Sequence, residues 1–424
     1  MNIKSSHKII EGLRALSGFL FAALCPMGHV FGYSALTLGI PTLFFPRNHR
    51  ENPLPKRYLY TIFLVFFLWG AILSLFVAEN RVAAFTTLFS YFAHWTLPFM
   101  LGYSISSRYS LRIIFVWIAS LLLLGLVSLM PYLGLFEAAK LSSEGLLKGL
   151  HTHIQFGTLL LIALHLLLGM FLTAKIEMRK TYIFGFCGLI CAFMILLTGS
   201  RGVWFAMVFS IFGAFVHSAI ARRRRRLSLI FLTLTLLAAV VSIALFPQVR
   251  YRIDRTSAED PSYIFRRNMA IMAGMIISDQ PFTGIGPGQV TFAKEYYDLM
   301  DDWDLPVETG YLQKKHLHDM YLHITSEFGF PGLVMFLGII GGLIWLAVHS
   351  IRKNRGLEKG LSYGFLWAVI GVGIGELLDC LLRGPPVAME LFFIAGLIAG
   401  ITADVGSENL SANAATENKN PTRI

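Results

Sequence analysis

Apolar runs long enough to cross a bilayer recur along almost the whole chain, and basic residues collect in the loops between them. The runs lie near residues 12–30, 32–46, 58–78, 82–103, 111–130, 154–174, 181–199, 202–220, 228–246, 330–350, 361–381 and 386–403. They number about twelve, each near the roughly 20 residues a helix needs to span the hydrocarbon. Helix is the expected form, because lipid offers backbone amides no partner outside their own segment. Only 14% of the residues are charged and 55% are hydrophobic, with mean hydropathy +0.63. A soluble domain carries about 25% charged residues, so a soluble fold is excluded and the lipid bilayer is the expected solvent. The net charge of +11 would suggest nucleic acid on a soluble protein. Here the cations sit between spans, read as orientation signals, and imply no nucleic-acid partner.

Starting with the N-terminus in the cytoplasm, the inside loops carry Arg47, Arg50, Lys56 and Arg57, then Arg108 and Arg112, then Lys175, Arg179 and Lys180. Arg222 to Arg226 and then Arg352, Lys353, Arg355 and Lys359 follow. The short outside loops hold single arginines, Arg81, Arg201 and Arg383, and the longer one holds Lys140 and Lys148. The bias places both termini inside. The first apolar run lacks a convincing small-residue cleavage site and is expected to remain as a span. Cys187 and Cys191, one helical turn apart in an apolar run, read as packing residues.

The expected organisation is transmembrane helices one to nine over residues 1–246 and a large outer loop over 247–329. Helices ten to twelve follow over 330–403, and then a disordered cytoplasmic tail over 404–424. An ordered loop of the length of 247–329 is usually functional. Within it Asp260-Pro261 reads as an N-cap followed by proline at the first helical position, predicting a helix from Ser262 to Ile277.

Three polar constellations are expected on the outer face. In Thr198-Gly199-Ser200-Arg201-Gly202, Arg201 is either an interfacial arginine that snorkels or a grip on a phosphate at headgroup depth. Arg250, Arg252, Arg255, Arg266 and Arg267 form either a solvated basic face or a diphosphate clamp, helped by a helix N-terminus. In the stretch from Asp279 to Gly288, Gly284 and Gly286 can let backbone approach a ligand closely. His316 and His318 lie in the third. They read as a surface pair, as two zinc ligands lacking a third, or as a general base, a neutral imidazole being the usual acceptor of a hydroxyl proton near neutral pH. His151 and His153 form a second H-x-H that can approach the site. Asp379 and Arg383 read either as a structural pair closing the last hairpin or as groups that orient the acceptor.

In this order, the T-G-S-R-G turn at 198–202, the R-x(12)-D-x-P-x-x-G-x-G stretch from Arg266 to Gly286 and the H-x-H-x-x-Y-L-x(4)-E-x-G stretch from His316 to Gly329 resemble the O-antigen ligase and O-antigen polymerase superfamily. One departure is Asp319, where the family often has Asn. The resemblance, closest to an O-antigen ligase, implies a GT-C-type all-α membrane glycosyltransferase of the bacterial inner membrane. It implies transfer of a glycan from undecaprenyl diphosphate to a sugar hydroxyl of lipid A-core at the periplasmic face. The implied reaction inverts the anomeric centre and uses no metal or cofactor. Residue by residue, it makes His318 the base and Arg201, Arg266, Arg267 and Arg255 the donor-binding arginines, with His316, Tyr321, Gly284 and Gly286 in support. A repeat-unit polymerase and a protein O-oligosaccharyltransferase share these features. A lipid-linked glycan transporter fits less well, since transporters keep ionisable groups at mid-membrane depth.

Overall fold

The computed structural model describes residues 3–45, 54–130, 147, 150–173, 176–220, 225–254, 260–302 and 316–417. Arg255, Lys140, Lys148 and part of the 222–226 basic run lie outside them. Among the described residues the protein is all-helical. In chain order the helices are α1 (Ile3–Leu24), α2 (His29–Leu43), α3 (Leu54–Phe76), α4 (Arg81–Tyr91), α5 (Leu97–Ser104), α6 (Ser107–Leu129), α7 (His153–Thr173) and α8 (Met178–Leu197). Then follow α9 (Arg201–Ile220), α10 (Arg225–Leu245), α11 (Pro247–Asp254), α12 (Pro261–Asp279), α13 (Lys294–Asp302), α14 (Met320–Lys353), α15 (Gly356–Gly375) and α16 (Pro385–Glu417).

Eight helices among the described residues are long and apolar enough to cross a membrane: α1, α3, α6, α7, α8, α9, α14 and α16. The other expected spans fall on helices that depart from a simple crossing for local reasons. α2 is 15 residues long. The run from Arg81 to Ser104 is interrupted by a π-helical turn at Phe92–Thr96, ahead of Pro98. α15 opens with Glu358 and Lys359, and the apolar part of α10 is Leu229–Leu245. α16 remains helical to Glu417, past residue 404 where a disordered tail is expected; residues 407–417 contain no glycine or proline to stop it.

α7 and α16 form the centre, with 94% and 100% of their apolar stretches buried. Glycines set how closely their neighbours approach. A Cβ at Gly364 of α15 would lie 2.3 Å from the His165 carbonyl oxygen of α7, and one at Gly396 of α16 would lie 2.2 Å from the Phe99 carbonyl oxygen of α5. Small residues at such crossings let backbones meet where lipid supplies no hydrophobic drive. The ends of α3, α8 and α10, the starts of α4, α9 and α14, and the turn between α15 and α16 gather with α11–α13 at one end of the bundle, the site face. At the other end Asn354 donates to Ser362 and Thr402, and the Ser107 N–H donates to Asp404.

Gly364→Val is expected to overpack the α7–α15 crossing and cost about 1–3 kcal/mol, whereas Gly341→Ala, with open space around its Cα, should leave the thermal melting of the detergent-solubilised protein almost unchanged. Equal melting of the two variants would contradict the packing.

Candidate active site

The site is built on a break in α14. Gly329 has φ 69° and ψ −176°, and Pro331 lacks an N–H, so the helical ladder is interrupted here. Three carbonyls, of Ser326, Glu327 and Phe328, lose their partners four residues on. Each finds another: Ile285 N–H donates to Ser326 at 2.9 Å, Gly286 N–H to Glu327 at 3.0 Å, and Trp69 Nε1–H to Phe328 at 2.9 Å. In return Phe330 N–H donates to the Pro281 carbonyl at 2.8 Å. The D-x-P-x-x-G-x-G stretch is therefore a plug for the broken helix.

Its glycines do not face open space, contrary to the expectation that they admit a ligand. Gly284 and Gly286, at φ 60° and 97°, adopt left-handed backbone that disfavours side chains. A Cβ would lie 2.4 Å from the Ser326 carbonyl oxygen in the first case and 2.8 Å from the Ala78 Cβ in the second. Protein already fills the room these glycines make. Their role toward any substrate runs through the placement of α12 and α14.

α12 begins where the sequence places it. The Asp260 carboxylate accepts the Ser262 N–H at 2.8 Å as N-cap, with Pro261 following. The same carboxylate accepts from Arg201 at 2.7 Å, and Arg201 donates to Ser262 Oγ at 2.8 Å. Arg201, at the start of α9, thus latches the N-terminus of α12. Burial works to raise Asp260, but the Arg201 hydrogen bond and the Ser262 amide hold it down at about 2. Arg266, one and a half turns into α12, is half-buried. Burial pushes its guanidinium below the usual range and the facing Asp379 offsets part of that, with Arg201, Asp260 and Arg252 also in its field. Arg267 is exposed on the next position, turned about 100° round the helix, and is not gathered with Arg201 and Arg266.

His316 and His318 are brought together with a carboxylate far along the chain. His316 Nε2 lies 3.1 Å from Asp379 Oδ1 and His318 Nδ1 lies 3.4 Å from the same oxygen, the second being long for a hydrogen bond. The imidazole centroids are 4.3 Å apart, and Phe265 of α12 meets the His318 ring edge-on at 5.3 Å. Burial works to raise Asp379, yet its two histidine partners hold it far below the usual carboxylate range. An ionised carboxylate only accepts. The proton on His316 therefore belongs on Nε2, the nitrogen facing Asp379, which leaves a lone pair on its Nδ1. Burial lowers His316, so it is neutral at pH 7.

His318 is the only described non-glycine residue with positive φ, at 54°. A bulky side chain held in left-handed backbone is costly and persists where its surroundings enforce it. They do so on both sides. Asp319 caps α14 by accepting the Leu322 N–H at 2.9 Å, a role Asn fills equally well. Met320 N–H donates to the Glu376 carbonyl at 2.9 Å. The buried Glu376 carboxylate accepts the N–H groups of Leu381 and Leu382 at 3.0 and 2.8 Å, folding the turn that carries Asp379. The Tyr321 hydroxyl donates to the Gly373 carbonyl at 2.7 Å, so it ties α14 to α15. His151 takes no part in this cluster; its Nε2 lies 2.7 Å from the Pro26 carbonyl oxygen.

Asp379 is the residue the sequence reading undervalued. Of the two expectations, a hairpin pair with Arg383 or a place at the site, the structure shows the carboxylate facing the histidines. Its one sequence signal is an acidic group at the end of an apolar run, beside Arg383 and Pro385-Pro386. The ligand atoms of His316, His318 and Asp379 all lie within 4.8 Å of one another, a spacing that a divalent cation can bridge. The third ligand missing from the sequence reading is thus present. The surrounding charge favours an anion over a cation, since Arg266 faces Asp379 and Arg383 acts on His316.

A polytopic helical membrane protein with arginines, histidines and a carboxylate converging at one end is the class these features define. Residues 186–337 match the family model described as O-antigen ligase. Over that segment, about a third of its length, the chain is similar to the O-antigen ligase family. No curated protein matches it. Among solved structures, one chain from a study of polymerization and crosslinking by a peptidoglycan synthase complex is similar with TM-score 0.45 and 16% identity, over 82% of this chain and 97% of that one.

The Arg201–Asp260 latch has a defined pH window. Asp260 is depressed from its ordinary 3.8 to about 2, so its contribution is complete above the ordinary value and is lost as pH falls through the depressed one. The difference in melting temperature between the wild type and Asp260→Asn should be constant above about pH 5 and shrink toward pH 2. A difference that does not vary with pH would show that the charge on Asp260 plays no part.

Proposed function

We propose that the protein is an O-antigen ligase that moves a glycan from undecaprenyl diphosphate to a sugar hydroxyl of lipid A-core. The reading places the site face in the periplasm, both termini in the cytoplasm and the chain across the inner membrane. It counts twelve crossings in a GT-C-type architecture, with 247–329 as the catalytic loop. The observation that carries it is the convergence of His318, His316 and Asp379 beside Arg266 and the Arg201–Asp260 latch.

The reaction is one in-line displacement with inversion. The acceptor oxygen forms a bond to the anomeric carbon as the bond from that carbon to the diphosphate oxygen breaks. His318 Nε2 takes the acceptor proton, and Asp379 orients the ring and stabilises the imidazolium as it forms. Arg266 receives the diphosphate as its charge develops, with Arg201 beside it at the α12 N-terminus. Arg267 and Arg255 are secondary donor contacts in this scheme. His316 shares Asp379, fixing the carboxylate between the two rings. Both substrates are lipid-anchored, which accounts for a site at the end of a helical bundle that they can enter sideways. No step needs a metal.

His318→Ala should reduce transfer by about 10²–10⁴-fold while the protein still inserts and melts normally, read as loss of lipopolysaccharide ladders in a complemented deletion strain. Asp379→Asn removes the carboxylate that both rings face, so it should slow transfer. Normal ladders from either variant would remove the dyad from the mechanism. In the deletion strain itself, accumulated carrier-linked polymer identifies a ligase, whereas single capped units identify a polymerase.

Transfer by the purified enzyme should continue at an undiminished rate in EDTA. A rate abolished by chelator and restored by a divalent ion would reassign His316, His318 and Asp379 as metal ligands.

A further inference from the structure

A second cavity opens on the site face, away from the histidines. It holds about 240 Å³ and lies between the α3–α4 turn and the segment from Gln280 to Tyr296. The two sites sit at opposite ends of α12, whose N-terminus meets Arg201 and whose C-terminal Gln280 lines the cavity. From Phe265, which meets the His318 ring, to Gln280 the helix rises by roughly 22 Å.

The cavity is built in advance of any ligand. The Gln289 side chain, 4% exposed, is held by three hydrogen bonds. Its Oε1 accepts the Asn80 N–H at 2.9 Å, and its Nε2 donates to the Asn80 carbonyl at 3.0 Å and the Pro287 carbonyl at 3.1 Å. This clamp joins the α3–α4 turn to the glycine loop and fixes the spacing of the walls. At the rim Phe292 is 50% exposed, an aromatic face open to water where burial would be the default. Glu79 of the α3–α4 turn and Glu295 of the facing segment are exposed, and Gln280 lines the cavity with them.

The lining narrows the ligand class. Two carboxylates against the single Lys294 leave the cavity net negative, which disfavours a phosphate. The carboxylates and amide would be desolvated without compensation by an acyl chain. An aromatic face beside acceptors and an amide suits a neutral polyhydroxylated molecule, whose C–H face packs on the ring while its hydroxyls donate to the carboxylates. We propose that this cavity is a distal saccharide subsite, which holds the donor's glycan chain several sugars away from the one being transferred. The proposal rests on the glycosyl-transfer reading of the main site. Its consequence is discrimination by chain length: a long donor spans both ends of α12, and a single repeat unit reaches only the arginines.

The test uses the full-length protein in detergent, Phe292→Ala and Glu295→Gln variants, and lipid-diphosphate donors carrying one repeat unit or a long chain. Phe292→Ala should raise KM for the long donor by about tenfold, the loss of one good aromatic contact, and leave the single-unit donor unchanged. In saturation-transfer NMR, free oligosaccharide released from the carrier should contact the wild type, and those signals should weaken in both variants. Equal KM changes for both donors, or undiminished oligosaccharide signals, would overturn the subsite. Failure of the wild type to transfer even the single-unit donor would instead refute the main reading, and the NMR arm would still decide whether the cavity takes sugar.

Discussion

The broken ladder of α14 is the constraint on which the rest of the site depends. A helix that stops pairing at Gly329 and Pro331 leaves three carbonyls without helical partners on Ser326, Glu327 and Phe328, residues fully buried in the protein, where they must be satisfied internally. Two amides of the glycine loop and one tryptophan indole take up those carbonyls. That exchange pulls the 281–288 loop down onto α14 and so fixes where α12 can lie. With α12 fixed, Arg266 faces Asp379, Phe265 meets the His318 ring, and the α12 N-terminus reaches Arg201. A fault in backbone hydrogen bonding is thus the means by which distant segments are held in register.

Electrostatics then divides the site into a fixed part and a reactive part. Asp260 and Asp379 are both held well below the ordinary carboxylate range, the first by Arg201 and its own cap, the second by two histidines. Each stays negative across the physiological range and acts as an anchor. On His316 the Nδ1 lone pair faces away from Asp379. Arg266, half-buried, stands beside them with its burial only partly offset by Asp379.

Much of this was legible in the sequence. The apolar runs gave the all-α membrane class, because lipid leaves the backbone no alternative to local pairing. Asp260-Pro261 placed the start of α12 to the residue, since a cap and a proline at the first helical position are local signals. The H-x-H pair and the arginines of 198–202 and 266 marked where chemistry could sit, because those side chains are rarely placed beside a membrane without purpose.

Partnerships across the fold were decided only by tertiary structure. Nothing local joins Asp379 to His316 and His318, some sixty residues earlier; the Glu376-capped turn and the Met320–Glu376 hydrogen bond bring them together. Nothing local shows that Gly284 and Gly286 serve a helix break forty residues on, because a glycine that admits a ligand and one that admits another backbone look alike in sequence. Sequence fixed which groups were available and which segments were helical, since both follow from short-range hydrogen bonding and hydropathy. Which group meets which followed from long-range packing, whose partners are chosen by the three-dimensional path of the chain.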